Sequence, residues 1–178
     1  MRMLHTSGAL ALAPTPQTQE EPPWLVEAHR MMVAGPSGLR DRRDLLHLLG
    51  RANRRTPWTI PWCGLFVAHC LRTADPGIAL PFLPARARPW RRWGRETTPQ
   101  IGALMLFWHY DPALPFGHVA FYWGEDAEAY HVLGGNQGHR VCVQRYPKDR
   151  LVTVRWPEGA PQHGLTRLRP EGAARPFV

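Results

Sequence analysis

Pro61-Trp62-Cys63-Gly64-Leu65-Phe66-Val67-Ala68 places a cysteine at the first turn of an apolar helix. Proline suits a helix start, where its missing N–H costs nothing. Apolar residues then fall at Leu65, Phe66, Val67, Cys70, Leu71 and Ala74, close to one buried helical stripe. Asp75-Pro76-Gly77 stops the run. Cys63 is therefore expected near the positive end of the helix, and Cys70 about two turns deeper. Unpaired N–H groups at a helix N-terminus favour an anion, and the reactive form of cysteine is the thiolate. Free cysteines are also often small buried hydrophobes. That second reading fits Cys70, and Cys142 in Arg140-Val141-Cys142-Val143-Gln144 reads as an inert strand residue.

Working outward, His118 opens a strand-like run to Trp123, and Tyr130 to Leu133 forms a second one ending in Gly134-Gly135. Gly124-Glu125-Asp126 reads as the turn between them. A five-residue loop pairs position 118 with 136, and a four-residue loop pairs it with 135. Either register leaves the Asn136 side chain near the His118 ring. A catalytic imidazole needs one nitrogen facing its nucleophile and the other held by an acceptor, which fixes tautomer and orientation. An asparagine oxygen can serve, as in Cys-His-Asn arrangements. Each residue also has an ordinary reading: His118 as a polar strand end, and Gly-Gly-Asn as a turn. The three in order carry more than each alone.

The words Pro61-Trp62-Cys63…Phe66-Val67, Ala85-Arg86-Ala87-Arg88-Pro89-Trp90…Trp93-Gly94, Gly117-His118-Val119…Tyr122 and Val132-Leu133-Gly134-Gly135-Asn136-Gln137 resemble the CHAP and NlpC-like cysteine hydrolases. The resemblance runs from about Pro23 to Pro157 and is nearest to small phage- or prophage-type members, endolysins among them. It implies a papain-like α+β fold, with N-terminal helices packed on a C-terminal antiparallel sheet of about five strands. It also implies cleavage of an amide bond in peptidoglycan, with Cys63 as nucleophile, His118 as general base and acid, and Asn136 as the orienting residue. Trp62, Arg86, Arg88 and Gln137 are the expected substrate-binding residues, and no cofactor or metal is expected. The chain departs from the pattern at Gly102-Ala103, where such sequences often carry Gly-Asp, and in lacking an early Gly-x-x-Glu word.

The 178 residues suffice for one domain with a real core. The expected division is a flexible arm over 1–22, a hydrolase domain over 23–157 and a flexible tail over 158–178. Three widely spread cysteines do not make a disulfide framework and fit a reducing place of synthesis. The net charge of +8 favours anionic partners, peptidoglycan among them. No stretch approaches the roughly 20 apolar residues of a bilayer span, so stable membrane insertion is not expected. The apolar part of Met1 to Pro14 is short and interrupted by His5, Thr6 and Ser7, which argues against a signal peptide. The expectation is synthesis in the cytoplasm and action on the cell wall in the periplasm. The resemblance implies release through a holin-type membrane lesion.

Further helices are expected over Trp24–Met32 and Asp41–Ala52, and further strands over Ala103–Trp108, Val141–Tyr146 and Leu151–Arg155. Helices first and an antiparallel sheet second make an α+β domain. Between them, Arg86, Arg88, Arg91, Arg92 and Arg95 interleave with Trp90 and Trp93. The tryptophans are expected to pack on the core, with the arginines forming a wall of the groove. Three rivals remain. A zinc enzyme lacks Cys-x-x-Cys and His-Glu-x-x-His words. A basic nucleic-acid-binding module lacks a helix-turn-helix or zinc-finger pattern, so nucleic acid is not the expected partner. A virion-borne protein that cuts the wall during infection would share the chemistry.

Overall fold

Leu104-Met105-Leu106-Phe107-Trp108 offers no polar residue to turn toward water, so it demands cover on both faces. The computed structural model describes residues 21–34, 61–162 and 164, and it sets this run in the middle of a sheet. In chain order the elements are helices α1 (Pro23–Val33) and α2 (Cys63–Ala74), then strands β1 (Arg95–Glu96), β2 (Leu104–Trp108), β3 (Gly117–Glu125), β4 (Ala129–Gln137), β5 (Arg140–Pro147) and β6 (Leu151–Trp156). Short 3-10 turns cover Arg88–Arg92 and Lys148–Arg150. The six strands lie in the order β1-β6-β2-β3-β4-β5, and every pair is antiparallel. The domain is thus α+β, as expected. The strand beyond the expected five is β1, only two residues long, which closes one edge beside β6. The helix expected over 41–52, most of the arm and most of the tail lie outside the described residues.

Both helices cover one face. Phe66 of α2 meets Phe121 of β3 with ring centroids 6.3 Å apart. Trp24 of α1 meets Trp156 of β6 edge-on at 5.1 Å and donates its indole N–H to the Gly102 carbonyl. The helices are tied together by Glu27, which accepts from Arg30 at 2.7 Å and lies 3.1 Å from His69 Nε2. Val119 shares the helix-side face with Phe121, so His118, Ala120 and Tyr122 face the other way.

That second face is lined by rings. Phe107 of β2 stacks on Tyr146 of β5 at 4.7 Å, although β3 and β4 lie between those strands. In a flat sheet they would stand about 14 Å apart, three strand spacings. The sheet therefore curls strongly about this face. Bulges supply local bending: the pairing register slips between Leu106 and Phe107, between Tyr122 and Gly124, and between Gly134 and Gln137.

The turn from β3 to β4 is held by one carboxylate. Asp126 accepts from Arg145 through two nitrogens (2.7 and 2.8 Å), from the Glu128 and Ala129 backbone N–H groups, and from buried His131 at 2.6 Å. Chiefly the Arg145 bonds, with help from His131 and the backbone, hold this carboxyl far below the usual carboxylate range. A group so depressed contributes its full stabilisation above its unfolded pKa of about 4 and loses it progressively as pH falls below that value. Asp126→Ala strands buried His131 and the backbone donors, so unfolding free energy at pH 7 is expected to fall by about 3 kcal/mol in urea titration.

Candidate active site

Cys63 is the first residue of α2, with Trp62 in the N-cap position. The first turn docks closely because two neighbours lack side chains. A Cβ on Gly64 would stand 2.0 Å from the Pro84 carbonyl oxygen, and one on Gly135 would stand 2.4 Å from the Trp62 ring and 2.6 Å from Phe66. The buried Cys63 sulfur lies near the backbone N–H groups of Val119, Gly64 and Cys63 itself, whose dipoles favour the thiolate. Burial outweighs them, and the thiol is pushed up from its ordinary value. The helix end thus supplies the expected donors, but desolvation keeps the proton on sulfur.

His118 is buried in β3, and its Nε2 lies 3.0 Å from Gln137 Oε1. The Gln137 amide nitrogen donates to the Val132 and Cys142 carbonyls, which settles which end is oxygen. Nε2 of His118 therefore carries the hydrogen, and Nδ1 is left as the basic nitrogen. Burial, aided by nearby His109, lowers this imidazole to about 3 against the opposing effect of the Gln137 bond.

The residue holding His118 is therefore Gln137, where the sequence pointed to Asn136. Phe121 pairs with Leu133 and Tyr122 with Val132, the register that extrapolates to 118 opposite 136. But β4 bulges: Gly134 pairs with Cys142 and Gln137 with Arg140, so Gly135 and Asn136 stand against one residue of β5. Asn136 adopts a left-handed φ of 61°. The extra residue shifts side-chain parity by one, and Gln137 takes the face that alternation assigned to Asn136. Asn136 makes no side-chain hydrogen bond among the described residues.

Cys63 lies near the Val119 backbone, one residue from His118, but on the helix side of the sheet, whereas the His118 ring faces the other way. No hydrogen bond joins thiol and imidazole among the described residues. Tyr146 lies flat against the His118 ring, 5.1 Å away with 6° between planes, and His109 stacks nearby at 6.1 Å. Neither ring was singled out from sequence. Of the other expected contact residues, Trp62 is buried against Gly135, and only Arg86 is openly exposed. Arg88 donates to the Pro112 and Leu114 carbonyls, bracing the loop from β2 to β3. Trp90 and Trp93 are buried, each donating its indole N–H to a backbone carbonyl, as the core reading expected. Cys70 is buried, and Cys142 is half-buried on β5 beside Gln137. No cluster of three or more metal-ligating side chains occurs among the described residues, nor a helix long and apolar enough to cross a membrane.

In comparisons with protein-family models and with curated proteins, none matches this chain.

A histidine kept neutral by burial makes stability depend on pH. Unfolded, His118 binds a proton below about pH 6.5, whereas folded it resists down to about 3. In that interval the unfolded chain holds more protons, so stability falls as pH falls. Urea titrations between about pH 7 and 4.5 are expected to show a slope of up to about 1.4 kcal/mol per pH unit from this group. His118→Gln removes that component of the slope, whatever it does to stability at pH 7.

Proposed function

We propose that the chain is a thiol hydrolase that cleaves an amide bond of peptidoglycan, using Cys63, His118 and Gln137 on a papain-like scaffold. The observation that carries this is the His118–Gln137 bond: a side-chain amide holds Nε2 and leaves Nδ1 as a base, one residue from the Val119 backbone that lies near Cys63. The choice of peptidoglycan, and of a phage-type lysis role with holin-dependent release, rests on the resemblance in sequence words. In the reaction the thiol gives its proton to His118 Nδ1, which requires the imidazole to turn from the far face of β3 toward the first turn of α2 when substrate binds. The thiolate attacks the carbonyl carbon, and the oxyanion is held partly by the Cys63 backbone N–H. The imidazolium then protonates the departing amine, and water hydrolyses the thioester.

A nucleic-acid-binding role draws less support. Arg88 is spent on loop carbonyls, Arg95 donates to the Ala160 carbonyl, and Arg155 donates to the Trp93 and Gly94 carbonyls.

Hydrolysis of purified Gram-negative and Gram-positive peptidoglycan, with products identified by mass, tests the reading. Cys63→Ala is expected to abolish cleavage with the fold retained. Gln137→Ala is expected to lower kcat by about 10²-fold through loss of imidazole orientation, while Asn136→Ala leaves it within a few-fold. Wild-type inactivity with the thiol confirmed reduced would overturn the hydrolase reading. Cleavage that survives Cys63→Ala would overturn the nucleophile.

A further inference from the structure

The connection from β2 to β3, residues 109–116, is well braced yet presents apolar side chains to water. His109 donates its backbone N–H to the Phe116 carbonyl, Asp111 to that of His109, and Leu114 to that of Asp111. The Asp111 carboxylate accepts from the Ala113 N–H at 2.7 Å, and Arg88 bonds the Pro112 and Leu114 carbonyls. On this frame Tyr110 is 83% exposed, Phe116 55% and Leu114 40%. Tyr110 holds a φ of 66°, a left-handed conformation that is a strained outlier for a bulky residue. Its ring meets Phe116 edge-on, with centroids 6.2 Å apart and 87° between planes.

An ordered loop that accepts backbone strain and still leaves two aromatic rings in water marks a contact surface. Its place ties it to the candidate site. His109, next to Tyr110, stacks toward His118, and Phe116 stands two residues before that histidine. A second copy of the chain is a poor occupant. Each copy carries a net charge of +8, so two copies repel one another. A sugar ring fits better: it is small, its axial C–H groups form an apolar face that lies on an aromatic ring, and its hydroxyls stay in water. Tyrosine combines that apolar body with a polar tip.

We propose that Tyr110 and Phe116 form a glycan-binding lip that seats a sugar of the wall polymer beside the scissile amide. The proposal rests on the hydrolase reading for its biological substrate, but its binding step can be tested separately.

The probe is the β-1,4-linked N-acetylglucosamine tetramer, titrated into the catalytically silent Cys63→Ala protein and followed by intrinsic fluorescence and NMR. Saturable binding is expected, with shifts in the resonances of residues 109–116. Tyr110→Ala with Phe116→Ala is expected to weaken it by about tenfold or more, whereas Tyr110→Trp, which keeps a ring face, retains it. Thermal melts confirm that the variants fold. Absence of tetramer binding, or equal binding by the double variant, would overturn the lip. If the active protein cleaves peptidoglycan through Cys63 and the double variant shows an unchanged KM, the lip is overturned while the hydrolase reading stands. If nothing is cleaved but the tetramer binds through these rings, the lip stands and the hydrolase reading fails.

Discussion

One extra residue in β4 governs the candidate site. The bulge at Gly135–Asn136 turns the strand over, so that two functions meet within three positions. Gly135 leaves room for Trp62 and Phe66, which seats the first turn of α2 against the sheet. Gln137, delivered to the opposite face, closes a 3.0 Å bond to His118. A regular strand could not do both with these residues: alternation would send Gln137 to the helix side and Asn136 to the imidazole. The left-handed φ of Asn136 is the local strain that the arrangement requires, and asparagine is among the few non-glycine residues that accept it readily.

Around this point the site is dry. Cys63 and His118 are both buried, and desolvation moves each toward its neutral form, the thiol upward and the imidazole downward. Donors that favour a thiolate are present, yet in a medium of low dielectric three N–H dipoles do not offset the loss of water around a full charge. The packing that positions the groups also quiets them. Polarity or charge brought by a bound substrate would act strongly there, because little water screens it.

Much of the fold was legible from periodicity. The uninterrupted apolar run at Leu104–Trp108 called for cover on both faces and lies mid-sheet. The helix beginning at Cys63 and stopped by Asp75-Pro76-Gly77 ends at Ala74. The pairing of β3 with β4 near Phe121–Leu133 follows one of the two registers that loop length allowed. The core placement of Trp90, Trp93 and Cys70 followed from residue type, because large rings and unpaired thiols are costly to leave in water. The sequence left Arg88 undecided, because a guanidinium can serve either a ligand or a backbone. Only the position of the 109–116 loop shows that it braces Pro112 and Leu114.

The sequence by itself determined the α+β class, the helix that starts at Cys63, and the His118 strand with its partner. Each depends on local spacing and on interactions between near neighbours. Tertiary structure decided which amide holds the imidazole, that Tyr146 lies flat on it, and that Cys63 and His118 rest as neutral groups without a mutual hydrogen bond. Strand parity changes with a single bulged residue, and the charge state of a buried group depends on everything that displaces its water. Neither is encoded at the residue it affects.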